Sequence, residues 1–186
     1  YRMSRFKGAD KGRYIITQVV LRLTNRHHRL HTEYGSLQQA LKDSGAAVSI
    51  RSISDAVVAI RQRKLPDPAE IGNAGSFFKN PIVPHGQYAN LKDQYPDLPA
   101  WPITDAEVKL AAGWLIEQTG WKGATQGQAG VHSRQALVLV NRGAATGPEV
   151  WALAQAIRAD VARQFGVQLE PEVNLIGAEG PLGTSS

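Results

Sequence analysis

Residues 71–81 read IGNAGSFFKNP and set Ser76 directly behind a glycine and ahead of two phenylalanines. A serine hydroxyl can serve as a nucleophile or as a weak acid. Either role needs partners that move its proton. The G-x-S-x-G elbow that presents a nucleophilic serine is absent around Ser76, which argues against acyl transfer. A serine after glycine is also a common turn residue or helix cap. The glycines suit a tight turn and equally a close approach of backbone to a ligand. On these residues alone both readings stand.

Other chemistry-bearing residues narrow the field. The chain has no cysteine, so disulfides and thiolate metal sites are excluded and a reducing cytosol is compatible. Three of the five histidines, His27, His28 and His31, sit in TNRHHRLHTEYGS, with no cysteine or clustered carboxylate to complete a metal site. A solvated loop is expected there, and no metal. Net charge is +5, and eight of the 21 basic residues fall in the first 30 positions. Such a segment faces solvent, or else an anion such as phosphate, pyrophosphate or nucleic acid. A nucleic-acid module would interleave aromatics with the basic residues. That segment holds only Tyr1, Phe6 and Tyr14 and no known motif. Neither G-x-G-x-x-G behind a strand nor a phosphate-binding G-x-x-x-x-G-K-[ST] is present.

These residues need elements to position them. Residues 14–23, YIITQVVLRL, are β-branched and apolar and predict a strand. Residues 52–64 predict a helix capped by Ser52 or Ser54, with Ile53, Val57 and Ile60 on one face and a basic end. Pro66 and Pro68 forbid its continuation and mark the best boundary in the chain. The proline-rich 82–104 predicts loops and short elements. A short amphipathic helix is expected over 109–120, ended by Gly120, and a buried strand over ALVLVN. The clearest helix is 147–165, with Thr146 and Glu149 as a capping box and Gly166 as its stop. VQLEPEVNLIG alternates as a strand, and Pro171 suggests an edge or a bulge. Strands and helices mix without a regular βαβ rhythm, which predicts an α+β fold. No apolar run spans a bilayer and no signal-peptide pattern opens the chain.

GNAGSFFKNP preceded by KLPDP, with YR at the start and LEPEVNLIG near the end, resembles the UDP-N-acetylenolpyruvoylglucosamine reductases. KLAAGWLIEQ, the KG at 122–123 and VHSRQALVLVN fall in the same order, so the resemblance runs along nearly the whole chain. It implies a cytoplasmic, monomeric flavoenzyme of peptidoglycan precursor synthesis. NADPH reduces bound FAD, and the flavin gives a hydride to the methylene carbon of UDP-N-acetylglucosamine enolpyruvate, forming UDP-N-acetylmuramate. The resemblance makes Ser76 the proton donor to the neighbouring carbon, with Arg2 and Glu172 assisting. Arg2 also stands on the cofactor side. Tyr34, Lys64, Asn80, Lys122 and Gln135 fall where the family contacts its UDP-sugar. Trp101 stands where a tyrosine is expected.

The bulk chemistry agrees. An enolpyruvyl ether accepts hydride poorly unless charge developing on its carboxylate is stabilised, and a guanidinium can grip a carboxylate with two parallel hydrogen bonds. Phe77 and Phe78 would exclude water from such a site or pack in the core. The resemblance further implies that residues 1–65 end a second FAD-binding domain. Residues 66–166 form the UDP-sugar domain, of antiparallel sheet with helices, and 167–186 return toward the flavin side. Tyr1 is not an initiator methionine, and the family's FAD-binding region would precede it. The chain by itself is therefore expected to bind FAD weakly or not at all and to be inactive. A purely UDP-sugar-binding role is the alternative. No nucleic acid and no membrane insertion are expected.

Overall fold

A computed structural model of the chain describes residues 4–33, 35–177 and 180–181. The fold is α+β, built from antiparallel sheets and five α-helices among the described residues. Two helices come first. The helix α1, Leu37–Ser44, closes at Gly45 in the left-handed conformation. The helix α2, Ile50–Lys64, begins at Ser49. Its cap is Ser49, not Ser52 or Ser54. The Ser49 hydroxyl accepts from the Ser52 N–H at 3.1 Å, and the Ser52 hydroxyl accepts from the Ser49 N–H at 2.9 Å. Two serines thus satisfy each other's backbone donors where a glutamate would ordinarily reach back. Leu37, Leu41 and Ala56 form a small core with Ala40, Ile53 and Ile60 against it, while Val57, expected on that face, stays exposed.

The main body begins after Pro66. Strand β1, Gly72–Ser76, is joined by β2, Ile82–Pro84, to helix α3, His85–Gln94. Strands β3, Ala100–Pro102, and β4, Glu107–Leu110, lead to helix α4, Ala112–Gln118. The hairpin strands β5, Thr125–Gln126, and β6, Ala129–Val131, precede β7, Val138–Asn141, and helix α5, Gly147–Phe165. A last hairpin pairs β8, Ile176–Gly177, with β9, Gly180–Pro181. The larger sheet has the order β1-β7-β6-β5 and the smaller β2-β4-β3, all antiparallel. Helix α5 lies across β6 and β7 and against α4.

The expected helix at 147–165 forms as α5. Thr146 Oγ1 accepts from the Glu149 N–H, Glu149 accepts from the Thr146 N–H at 2.7 Å, and Gly166 ends the helix at φ 64°. Leu153, Ala154, Ile157, Val161 and Phe165 are buried along one stripe. Most of a helix's stability in a protein comes from packing its amphipathic face. Each fully buried aliphatic side chain contributes about 1.5–3 kcal/mol, so packing rather than propensity holds α5. ALVLVN becomes β7, whose Val138, Leu139 and Val140 are all buried.

Four further expectations are corrected. Residues 14–23 form no strand; they run exposed, Ile15 at 91% and Val20 at 85%. The residue types are right for a strand, but among the described residues no neighbouring strand pairs with them. The stretch 82–104 carries a ten-residue helix, α3, besides two strands, and Leu91 buries on the core. The proline count hid it, because Pro84 sits at the N-cap, where a missing N–H costs nothing. The expected helix over 109–120 is split: Lys109 and Leu110 end β4, and only Ala112–Gln118 are helical. VQLEPEVNLIG is not a continuous strand. It makes a single bridge, Phe78 with Pro171, before β8.

Candidate active site

Ser76 ends β1, and the backbone before it is irregular by design of its sequence. The strand pairs with β7 at Gly72–Asn141, Asn73–Val140 and Ser76–Val138. Between Asn73 and Ser76 it therefore holds one residue more than its partner, which is a β-bulge. Asn73 builds it. Its side-chain oxygen accepts from the Gly75 N–H at 3.0 Å, and its amide donates to the Ile71 carbonyl at 2.9 Å. Gly75 takes φ 72°, in the left-handed region that glycine enters without steric cost. The bulge re-aims the chain and leaves Ser76 exposed at the strand end. The N-x-G spacing was the available signal for Asn73, and sequence reading passed over it.

Immediately after Ser76 the chain is held from both sides. The Phe77 N–H donates to the Leu137 carbonyl at 2.7 Å, and the Phe77 carbonyl accepts from the Glu172 N–H at 2.8 Å. The Lys79 N–H donates to the Glu170 carbonyl at 2.9 Å. Glu172, far along the sequence, is thereby set beside the residue that follows Ser76. Phe77 and Phe78 are both core, Phe78 at 1% exposed, with their rings edge-on at 5.1 Å. They anchor the stretch from below and do not cover Ser76.

Two of the expected sugar-contact residues join this group. Asn80 accepts from the Ala112 N–H at 3.0 Å, so it caps the start of α4. The Gln135 side-chain oxygen lies within van der Waals range of Gly113, where a Cβ would meet it at 3.5 Å. Both amide side chains thus converge on the first turn of α4. Gln135 also ends the loop that returns to Val138, the register partner of Ser76. Gly123, next to Lys122, packs on Ser133 in that same loop. The Lys122 ammonium is paired with Glu117 at 2.7 Å.

The remaining expectations fall elsewhere. Lys64 is exposed at the end of α2, outside the hydrogen-bonded group. Arg2 and Tyr34 lie outside the described residues. Trp101 is 47% exposed on β3, opposite Lys109, whose ammonium sits 5.5 Å above its ring. Near the Gln135 loop, His132 is held below its ordinary pKa, first by partial burial and then by the charges of Arg134 and Arg142. A proton there would add a third positive charge to the pair of guanidiniums.

The arrangement offers an exposed hydroxyl on a fixed bulge, a carboxylate-bearing residue hydrogen-bonded next to it, and two amide side chains at a helix start. Groups of these types can hydrogen-bond carbonyl or phosphate oxygens and can move a proton. It has no nucleophile elbow and, among the described residues, no cluster of three metal-ligating side chains.

Residues 67–176 match the family described as UDP-N-acetylenolpyruvoylglucosamine reductase, C-terminal domain. Curated relatives carrying the name UDP-N-acetylenolpyruvoylglucosamine reductase are similar along most of the chain. The Pseudomonas aeruginosa protein is 54% identical over 94% of this chain and 51% of its own length. That of Amoebophilus asiaticus is 53% identical over 95% and 52%, and that of Chromobacterium violaceum 55% identical over 92% and 50%. The chain spans about half the length of these relatives. With that domain matched over residues 67–176 and these relatives more than half identical along most of the chain, the chain belongs to the UDP-N-acetylenolpyruvoylglucosamine reductase family.

Proposed function

We propose that this chain is the substrate side of a reductase that converts UDP-N-acetylglucosamine enolpyruvate to UDP-N-acetylmuramate in cytoplasmic peptidoglycan precursor synthesis. The observation that carries the reading is the convergence at Phe77. Its N–H and its carbonyl bond Leu137 and Glu172 respectively, fixing Ser76 between the loop of Gln135 and the segment of Glu172. In the reaction a hydride adds to the methylene carbon and a proton adds to the carbon bearing the carboxylate. Ser76 donates that proton. Glu172 and Arg2 hold the carboxylate and stabilise the enolate-like intermediate, and hydrogen-bonded groups positioned in advance stabilise developing charge most where water is excluded. Asn80, Gln135, Lys122, Lys64 and Tyr34 hold the sugar nucleotide. Lysine suits its phosphates as a point charge.

In this reading the hydride comes from FAD reduced by NADPH. Ser76 is exposed, and two concavities among the described residues, of about 240 and 380 Å³, are lined by residues around His85 and around Arg142 and not by Ser76. This chain's own work is to hold the substrate, orient its carboxylate and supply a proton.

The same reading assigns residues 1–65 to the flavin-binding side, 66–166 to the UDP-sugar domain and 167–186 to a segment returning to the flavin side. Support comes from the two separate cores, one within α1 and α2 and the other spanning Phe77 to Leu169. The exposed apolar residues of 14–23 add to it. Ile15, Val19, Leu21 and Leu23 alternate with Ile16 and Val20, so both faces of the extended chain are apolar. That pattern suits a strand covered on both faces, and the relatives are about twice as long as this chain.

The test is Ser76→Ala in a full-length reductase carrying these residues. Turnover should fall by at least about 10²-fold, the usual scale for a lost general acid, while reduction of the flavin by NADPH is unchanged. Unchanged turnover would remove Ser76 as proton donor.

A further inference from the structure

The loop that carries Gln135 runs from His132 to Val138 and closes on itself. The His132 N–H donates to the Val138 carbonyl at 2.9 Å, and the Val138 N–H donates to the Gln135 carbonyl at 3.0 Å. Inside that closure an imidazole makes a further bond: the Arg134 N–H donates to His132 Nδ1 at 3.3 Å. A backbone N–H can only donate, so Nδ1 is the bare nitrogen and the neutral ring carries its proton on Nε2. The imidazole does here what an asparagine does in a turn, accepting from the backbone two residues on.

The loop meets the site on several sides. Ser133 packs on Gly123, beside Lys122, where a Cβ would lie 3.7 Å from the Ser133 Cα. The Gln135 side chain packs on Gly113 in the first turn of α4. The Leu137 carbonyl takes the Phe77 N–H, and Val138 is the register partner of Ser76. Protonation of His132 fills the lone pair at Nδ1 and removes the acceptor of the Arg134 N–H. It also sets an imidazolium beside two guanidiniums, Arg134 of the same loop and Arg142 just past β7. Partial burial already holds the ring below its ordinary pKa, and these two charges add to that effect. Among the described residues no carboxylate pairs with the ring to offset them.

We propose that His132 is a positioning residue for the sugar-nucleotide contacts: neutral, it holds the turn that presents Gln135 and sets Ser133 against the Lys122 loop, and protonated, it releases that turn. The effect on binding rests on the reading of Gln135 and Lys122 as UDP-sugar contacts; the effect on the loop does not. His132 acts through Gln135 and needs no contact with the substrate.

The experiment compares His132→Ala and His132→Asn with the wild type as pH falls from above 6.5, the ordinary value for the ring, to below its lower folded value. Asparagine supplies a side-chain acceptor for the same turn and does not titrate. In the present chain, the Arg134 amide of the wild type should be protected from hydrogen exchange about fivefold at the upper pH, the scale of one exposed hydrogen bond. That protection should vanish at the lower pH, be missing in His132→Ala throughout, and persist throughout in His132→Asn. In a full-length reductase carrying these residues, KM for the UDP-sugar should be about fivefold higher in His132→Ala at the upper pH, with kcat within about twofold. The wild type should approach that KM as pH falls, and His132→Asn should not. Equal exchange at Arg134 in the wild type and His132→Ala overturns the proposal. So does a KM that rises on acidification in His132→Asn as it does in the wild type. If Gln135→Ala leaves KM unchanged while the exchange results hold, the reading of Gln135 as a sugar contact fails and the His132 turn stands.

Discussion

At the residue scale the site depends on one backbone choice. Gly75 at φ 72° lets the bulge form, and a Cβ there would meet nothing within 4 Å. The cost of Gly75→Ala is therefore one of backbone conformation alone. It should destabilise the chain by about 1–2 kcal/mol in urea unfolding and re-aim Ser76, lowering turnover in a full-length reductase. Gly130 is the contrasting case. A Cβ there would lie 2.9 Å from Arg142 Nε and 3.2 Å from the Ala124 carbonyl. Since Ala124 is backbone, it cannot swing aside, and Gly130→Ala should cost more than Gly75→Ala in the same measurement. His132 adds a pH effect. Its folded pKa lies below the ordinary value of 6.5, so the unfolded chain binds the proton more readily. Stability is full above that value and falls as pH drops through it. Replacing His132 by Gln should flatten the fall of the urea midpoint as pH drops below 6.5.

At the element scale α5 is the stabilising bar across the larger sheet. Removing its cap with Thr146→Ala should cost about 1 kcal/mol, while Leu153→Ala, at a site with no exposure, should cost about 2–5 kcal/mol. Thermal unfolding should separate the two clearly. Glu149 is held below its ordinary pKa by the backbone and then the side-chain hydrogen bond of Thr146. Its contribution is present above the unfolded value of 4.5 and is lost as pH falls through the lower folded value. In Thr146→Ala that acid-side loss should shrink only in part, because the side-chain hydrogen bond is gone while the backbone N–H of residue 146 remains. At the other elements local signals were weaker. Helix α3 has few apolar residues and is held by β2, β4 and Leu91, so no periodic stripe announced it. Helix α4 is short, and its first residues are fixed by Asn80, a contact across 32 positions that no local pattern encodes.

At the scale of the whole molecule the chain divides its stability unevenly. The large core runs from Phe77 to Leu169, while α1 and α2 share three buried residues. Hydrogen exchange on this chain should show α5, β6 and β7 protected and residues 14–23 exchanging near the unprotected rate. In a full-length reductase the same ten residues should become protected if they are strands on the flavin side, and continued fast exchange there would sink that assignment. A purified sample of this chain should lack a stoichiometric flavin absorption band. Full flavin loading would overturn the expectation that the cofactor is held by the part of the relatives' length this chain does not span.

The sequence by itself determined the α+β class, the capped helix from Gly147 to Phe165 and the buried strand at Val138–Asn141. These follow from local rules: a T-x-x-E cap, a helical stripe, an apolar run. Only the tertiary structure decided what Ser76 stands beside. The bulge needed a partner strand to be irregular against. Glu172 reached the site through a bond to Phe77, and Asn80 and Gln135 met at a helix start that neither is near in sequence. It also decided that YIITQVVLRL, a strand by composition, runs unpaired among the described residues. A strand's residue types express a preference for a pleated surface, and the hydrogen bonds that make it a strand belong to its neighbours.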